Sequence, residues 1–112
     1  MIAIAQLLYN MYNDGFFEWD ESKNKTNQTK HSIAFETAAK VFEDENLVLL
    51  EDRVTDGEVR WHAIGMVEAA VLVVVHVYIE EGENEDDETI RIISAREADK
   101  SERGLYFQPP SR

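Results

Sequence analysis

Three arginines in one short stretch raise the first chemical question of this sequence. Arg91, Arg96 and Arg103 lie within residues 90–103 of a 112-residue chain whose formal net charge is −12. The first two fall in or at the end of a segment with the pattern of a buried strand. A buried guanidinium is costly unless an anion pairs with it. Either acidic groups of the same chain satisfy these arginines, or the arginines bind an anion from outside.

Other groups that could do chemistry are spread along the chain. His31 and His76 are natural proton carriers near neutral pH, and Lys23, Lys30 and Arg60 add positive charge. A structural role competes in each case. His76 also fits a hydrogen-bonded core histidine, and His31 a helix C-terminus that favours an imidazolium. The three histidines lack the close spacing of a metal motif, so we predict no metal site and no cofactor.

Composition favours one globular domain in a reducing compartment. Apolar residues make up 44% of the chain and charged residues 30%, and there is no cysteine. The longest apolar run, residues 69–75, is far shorter than the roughly 20 residues of a membrane span. The apolar start lacks the basic region of a signal peptide. We therefore predict a cytoplasmic protein without membrane contact.

The negative charge is concentrated in one stretch. Residues 79–88 hold seven acids and no base, whereas the remainder has 16 acids against 11 bases. Such a run between two strands is typical of a solvated hairpin loop, and it could also contribute to docking a basic partner. The overall acidity argues against DNA binding by this chain alone.

Local patterns predict the elements that position these groups. Residues 16–19 are aromatic enough for a short strand, and Asp20 suits the N-cap of a polar helix over residues 21–31. Apolar residues at helical spacing predict a second helix over residues 32–44. The chain therefore begins with a strand and two helices.

From residue 47 the pattern becomes that of strands. The predicted segments are a short strand over 47–52, a turn over 53–57 that ends in Asp56-Gly57, strands over 58–66, 70–79 and 89–96, and a closing helix over 97–107. The strand over 70–79 is apolar on both faces, as a central strand should be. The order predicts an α+β domain, an antiparallel β-sheet meander packed by two N-terminal helices and one C-terminal helix.

Alternation along residues 58–66 assigns side chains to the two faces of the sheet. One face receives Arg60, His62 and Ile64, and the other receives Val59, Trp61 and Ala63. We expect Trp61 to pack in the core rather than to stack on a nucleic-acid base.

Several separated blocks, in order, resemble the BrnT toxin family of type II toxin–antitoxin systems. They are the sequences of residues 17–44, 59–65, 73–78 and 90–106. The matching positions include Trp19, Asp20, Lys23, Asn27, Lys30, His31, Arg60, Gly65, His76, Arg91, Arg96, Glu102, Arg103 and Tyr106. The sequence departs from the family pattern at Ser32, where relatives usually have glycine, and at Ile79, where they often have a cation. Its loop of acids is also longer.

The resemblance implies a RelE-like fold and a metal-free endoribonuclease that inhibits translation. It further implies neutralisation by a BrnA-like antitoxin, with DNA contacted only through that antitoxin. The toxin-like domain would span residues 16–107, between an N-terminal extension of residues 1–15 and a tail of residues 108–112. Met11 could be the natural start; alternatively, residues 1–12 could form a short helix at a subunit contact in a homodimer.

Metal-free RNA cleavage assigns a role to each candidate. It needs a base for the 2′-hydroxyl proton, cations on the scissile phosphate and an acid for the leaving 5′-oxygen. The predicted catalytic residues are His31, His76, Arg60, Arg91 and Arg96, and the predicted RNA-binding residues are Lys23, Lys30 and Arg103. Arginine suits the phosphate because its planar fork can hold two oxygens at once.

The competing interpretation satisfies the arginines internally. Glu97, Asp99 or Glu36 could pair with Arg91 and Arg96 as structural bridges. Glu36 or Glu102 could instead serve as base or orient an arginine. With all arginines occupied, the chain would be a catalytically degenerate interaction protein that binds a basic antitoxin without cleaving RNA.

Overall fold

The computed structural model describes residues 16–80 and 88–109, and within them it has five strands and three α-helices. In chain order they are β1 Phe16–Glu18, α1 Glu21–His31, α2 Phe35–Ala38, a 3-10 helix Ala39–Glu43, β2 Val48–Thr55, β3 Glu58–Val67, β4 Ala70–Glu80, β5 Glu88–Glu97 and α3 Lys100–Phe107. The predicted N-terminal extension and most of the acidic stretch lie outside the described residues.

The strands form one sheet in the order β1-β5-β4-β3-β2. Strands β2 to β5 are an antiparallel meander, which confirms the predicted α+β class. Strand β1 adds to β5 in parallel, so the sheet as a whole is mixed, a feature that the sequence did not predict. Strand β4 is central, in agreement with its apolar residues on both faces.

The hairpin between β2 and β3 turns at the predicted pair. Asp56 and Gly57 have φ of 52° and 81°, the left-handed conformations that a two-residue hairpin turn needs. The predicted turn over 53–57 was nevertheless too long, because β2 continues to Thr55. A β-bulge between Glu51 and Val54 accommodates one extra residue, and pairing resumes beyond it.

Helix α1 begins and ends at recognisable caps. The Asp20 carboxylate accepts hydrogen bonds from the backbone N–H groups of Ser22 and Lys23, at 2.8 and 3.4 Å, which confirms the predicted N-cap. The helix ends at Ser32, which has φ of 61°. That left-handed conformation favours glycine, so the family's usual residue suits this position better than serine.

A polar helix needs polar contacts to dock, and Asn27 supplies them. Its side-chain amide donates to the carbonyls of Ile33 and Ala95, at 2.9 and 2.8 Å, and accepts from the N–H of Ala95 at 3.1 Å. Asn27 is buried, so these bonds are protected from water. Helix α1 is thereby fixed along the edge of β5.

The second predicted helix is shorter than expected. The α-helix covers only Phe35–Ala38 and continues as the 3-10 helix, so a single helix over 32–44 was wrong. The apolar residues whose spacing predicted this helix still pack in the core. The tighter turn brings Val41 against β3, where a Cβ added at Gly65 would lie 3.0 Å from the Val41 Cβ. Gly65 therefore permits this close approach.

The sheet has two faces with different coverings. The major face packs against α1, α2 and the 3-10 helix, and its core includes Phe17, Phe35, Val41, Ala63 and Val74. The opposite face, which we call the arginine face, packs at one end against α3. Its smaller cluster includes Val48, Ile64, Val73, Ala98 and Tyr106.

Helix α3 is held at both ends. The Asp99 and Glu102 side chains form a reciprocal capping box at its start. Near its end the Tyr106 hydroxyl donates to the Asp44 carboxylate at 2.6 Å, and Asp44 also accepts from the Met66 N–H at 2.7 Å. Burial opposes ionisation of Asp44, but these hydrogen bonds outweigh it and lower its pKa. The closing helix is therefore tied to the loop before β2.

Candidate functional site

The sheet brings three predicted site residues to one face. In the register of β4 and β5, Arg91 and Arg96 stand beside Val77 and Val73, and Arg60 lies on β3 on the same side. Paired residues on neighbouring strands share a face, and side chains alternate along each strand. The side chains of Arg60, Arg91 and Arg96 therefore all lie on the arginine face.

Arg96 is paired with a carboxylate of its own chain. Its two terminal nitrogens each donate to one oxygen of Glu102, both at 2.7 Å. This parallel pair is the strong form of an arginine–carboxylate contact. The hydrogen bonds from Arg96 are the main cause that lowers the pKa of Glu102 to about 2. Glu102 thus holds Arg96 in place, the orienting role considered for it from the sequence.

Arg91 is paired in a different way. Its Nε donates to the Glu18 carboxylate at 2.7 Å, across the parallel pairing of β1 with β5. The Glu18 side chain is 3% exposed, whereas that of Arg91 is 45% exposed. One side of the guanidinium therefore neutralises a buried acid, and the rest of the side chain remains accessible.

Arg60 differs from both. Its Nε is buried and has no hydrogen-bond partner, and no ion pair of Arg60 is found within the described residues. An unsatisfied buried donor on a cation is costly, and an anion in contact with it would remove that cost. Arg60 is therefore the arginine of this face best suited to bind a phosphate.

Arg103 is satisfied by the backbone. One terminal nitrogen donates to the carbonyl of Ala98 at 2.9 Å, which leaves the charge unneutralised on an exposed side chain. Within the described part of the chain, the carboxylates of Glu97, Asp99 and Glu36 do not pair with the arginines. Glu18 and Glu102 take that role; Glu102 was already a candidate from the sequence for orienting an arginine, whereas Glu18 was not.

A shallow groove between α1 and β5 collects the remaining predicted cations. Lys23, Lys30 and His31 line it together with Ser94. On the strand side the groove meets Ile93, which the register leaves unpaired between Ile92 and Ser94.

The groove continues toward the arginine face. Lys23 and Ile93 also line the adjoining pocket, which contains Arg91 and Glu18. Lys23 and Lys30 have no carboxylate within 4.0 Å among the residues that the structure describes. A chain of positive groups therefore runs from the end of α1 to the arginines.

His76 lies apart from these groups. It is fully buried on the major face, edge-on to the rings of Phe42 and Tyr78, and its Nδ1 is 3.1 Å from the carbonyl of Val74. Burial lowers its pKa from 6.5 to about 4, so the ring is neutral at neutral pH. The structure does not bring His76 together with the arginines.

His62 also lies on the arginine face, although no role was predicted for it. Its Nε2 lies 3.4 Å from an oxygen of Asp52 on β2, and its side chain is 24% exposed. The alternation that placed Arg60 and His62 on one face was the signal available. Histidine at that position had no assigned partner until β2 was paired with β3.

The described residues contain neither a metal-binding cluster nor a membrane-spanning helix. Residues 16–80 and 88–109 contain no group of three or more histidine, aspartate or glutamate side chains arranged to hold a metal ion. None of the helices in the same part of the chain has the length and apolar character that a bilayer crossing requires.

Comparison with known protein families identifies the family to which the chain belongs. The family model described as "Ribonuclease toxin, BrnT, of type II toxin-antitoxin system" matches residues 19–102, three quarters of the chain. A search among curated proteins found no match. The matched region begins just before α1 and ends within α3, and it contains Arg60, Arg91, Arg96 and the residues that line the groove. The chain therefore belongs to the BrnT family of ribonuclease toxins of type II toxin–antitoxin systems.

Proposed function

We propose that this BrnT-family toxin is a metal-independent endoribonuclease that inhibits translation in the cytoplasm. The observation that carries the proposal is the unpartnered, buried Nε of Arg60 on the face that also holds Arg91 and Arg96. Three guanidinium groups on one face can neutralise the charge that develops on a phosphate during cleavage. The proposal adds to the family assignment a mechanism and a cellular effect.

In the proposed reaction, a base removes the proton of a ribose 2′-hydroxyl. The 2′-oxygen attacks the adjacent phosphorus, the bond from phosphorus to the 5′-oxygen breaks, and the leaving oxygen gains a proton. Arg60, Arg91 and Arg96 hold the phosphate oxygens. Among the histidines predicted from the sequence, the exposed His31 remains a candidate proton carrier.

Strand alternation argues against His76, one of the predicted catalytic residues. A role for His76 in proton transfer would require RNA to reach a fully buried ring on the opposite face of the sheet. We therefore leave His76 out of the proposed site and assign it to the core.

The groove provides a path for the RNA backbone. Lys23 and Lys30 project from α1 without ion-pair partners in the described residues, and Lys23 lies beside Arg91. Lysines of this kind bind phosphates without reading sequence. Arg103, whose only described partner is a carbonyl, would add a further phosphate contact.

We also propose neutralisation by a BrnA-like antitoxin of basic character. The formal charge of −12 gives a basic partner a strong electrostatic attraction to this chain. DNA would then be contacted only through the antitoxin.

A second function is favoured by one specific observation. Arg91 and Arg96 already have carboxylate partners, Glu18 and Glu102. If those pairs do not open for RNA, the chain is a catalytically degenerate toxin that binds its antitoxin without cleaving RNA.

Induced expression without antitoxin, combined with cleavage of RNA by the purified chain in excess EDTA, separates the two functions. The proposal expects growth arrest and metal-independent cleavage, with both lost in Arg60→Ala at equal soluble protein. Lys40→Ala is the control, because Lys40 is an exposed cation in the 3-10 helix, away from the arginine face and the groove. A folded native chain that neither arrests growth nor cleaves RNA would establish the degenerate interpretation.

A further inference from the structure

We infer that His62, oriented by Asp52, is the general base of this site. The inference rests on the proposed ribonuclease function and deepens it by naming the group that removes the 2′-hydroxyl proton. His62 lies within the block of residues 59–65 that resembles the family, but the sequence assigns it no role, so the assignment depends on where the fold places it.

His62 and Arg60 lie on the same face of strand β3. His62 follows Arg60 by two residues on the same strand, so both side chains project from the arginine face about 7 Å apart along the strand. Arg60 is the arginine with a buried donor and no partner. A phosphate held by Arg60 would therefore lie within reach of the His62 imidazole.

The His62 ring is oriented with one nitrogen toward Asp52 and the other away from it. The Nε2 atom faces the Asp52 carboxylate at 3.4 Å, while Nδ1 has no hydrogen-bond partner among the described residues. A carboxylate beside Nε2 favours the tautomer that carries its proton there. The lone pair is then on Nδ1, the nitrogen that is left open to accept a proton.

Charged and titratable groups surround the His62 ring. Those nearest to it include Asp52 and Arg53 on β2, Arg60 on β3, Glu102 on α3 with its partner Arg96, and on β4 the buried His76, whose pKa the charge of His62 helps to lower. The charge of His62 is felt by Glu102, whose pKa it helps to lower, and Glu102 is itself occupied by Arg96. Asp52 is therefore the carboxylate in contact with His62 that can stabilise the imidazolium formed when His62 accepts a proton, and the same oxygen is shared with the exposed Arg53 at 3.6 Å.

The step balances without any further reactant. Nδ1 of His62 takes the 2′-hydroxyl proton, the 2′-oxygen forms a bond to phosphorus, and the bond to the 5′-oxygen breaks. The 5′-oxygen takes a proton from water, and the products are a 2′,3′-cyclic phosphate and a 5′-hydroxyl. The imidazolium then returns its proton to solvent.

The decisive measurement is the pH profile of RNA cleavage by the purified full chain. Removing a general base typically costs 100-fold or more in rate. His62→Gln should therefore cleave at least 100-fold more slowly and lose the fall in rate on the acidic side that the native chain shows. His62→Ala should regain activity when free imidazole is added. Native activity in His62→Gln, with an unchanged profile, would overturn the inference.

Asp52 is tested as a positioning residue. Asp52→Asn should lower the maximal rate about 10-fold, leave KM unchanged and shift the acidic limb of the profile, because the imidazolium loses its carboxylate. Glu51→Gln is the matched control, since Glu51 is adjacent in sequence but lies on the other face of β2, beside Trp61. Equal profiles for native and Asp52→Asn protein would exclude this role for Asp52.

Failure of the inference can be told apart from failure of the proposed function. If native protein cleaves RNA and arrests growth while His62→Gln does both equally well, only the assignment of His62 is wrong. If folded native protein cleaves no RNA, the ribonuclease proposal fails and the inference fails with it. Thermal unfolding of each variant confirms that a lost activity is not a lost fold.

Discussion

The two faces of the sheet use histidine and charge in opposite ways. On the major face, His76 is fully buried between aromatic rings and its pKa falls to about 4. On the arginine face, His62 remains partly exposed beside Asp52, two residues from Arg60 on the same strand. A histidine that supports packing and one that can exchange protons with a substrate thus lie on adjacent strands, β4 and β3, on opposite faces of the sheet.

The difference follows from what covers each face. Two helices and a 3-10 turn close the major face over a core of large apolar side chains. Among the described elements, the arginine face is packed only at one end, by α3, where Glu102 pairs with Arg96; away from α3, Glu18 pairs with Arg91. A charged side chain is tolerated on a sheet face when a carboxylate pairs with it and apolar side chains do not enclose it.

The largest expected effect is on the stability of the major face. Phe35→Ala should lower the free energy of unfolding by about 3–5 kcal/mol, because it empties a fully buried site. Phe107→Ala is the control on the other side, since that ring is 62% exposed, and it should cost less than about 1 kcal/mol. Chemical denaturation measures both. Similar losses for the two variants would contradict this view of where the main core lies.

The next effect is the pH dependence caused by His76. Its pKa is lower in the folded chain than the 6.5 of an unperturbed histidine, so the unfolded chain binds the proton more tightly. Stability should therefore fall as pH drops from about 6.5 to about 4, by roughly 3 kcal/mol. His76→Leu should flatten this part of the curve. An equally steep fall in the variant would show that other groups cause it.

A smaller effect is expected at lower pH from the arginine face. The pKa of Glu102 is lowered to about 2 in the folded chain, so its contribution is present above about 4.5 and lost as pH falls toward 2. Glu102→Gln should remove that part of the acid sensitivity while keeping the fall between 6.5 and 4.5 that His76 causes. The difference should stay below about 3 kcal/mol, because Arg96 is partly exposed and solvent screens the pair. Denaturation curves that are identical below pH 4.5 would refute it.

The smallest effect concerns RNA binding along the groove. Lys30→Ala should weaken binding to RNA of any sequence and reduce the salt dependence of log K by about one contact. Lys40→Ala is the matched control, because Lys40 is an exposed lysine in the 3-10 helix, away from the groove. Titrations at several salt concentrations test this. Equal slopes for both variants would exclude Lys30 from the RNA path.

Much of the fold was predictable because it is encoded locally. Asp20 caps α1, Asp56-Gly57 makes the hairpin turn, and the two-sided apolar run becomes the central strand β4, all as their residue types predict. The predictions were wrong where contacts with residues distant in sequence determine the local structure. The helix predicted over 32–44 becomes a 3-10 turn where Val41 packs on Gly65, and β2 extends past a bulge that its sequence does not mark.

The family, the order of the elements and the residue types available for phosphate binding can all be read from the amino-acid sequence. Which of those residues meet depends on the tertiary fold. Register sends His76 into one face and Arg60, Arg91 and Arg96 to the other, and the parallel strand β1 brings Glu18 to Arg91 across 73 residues. The physical reason is that pairing and burial depend on long-range strand contacts, whereas caps, turns and periodicity depend on residues close in sequence.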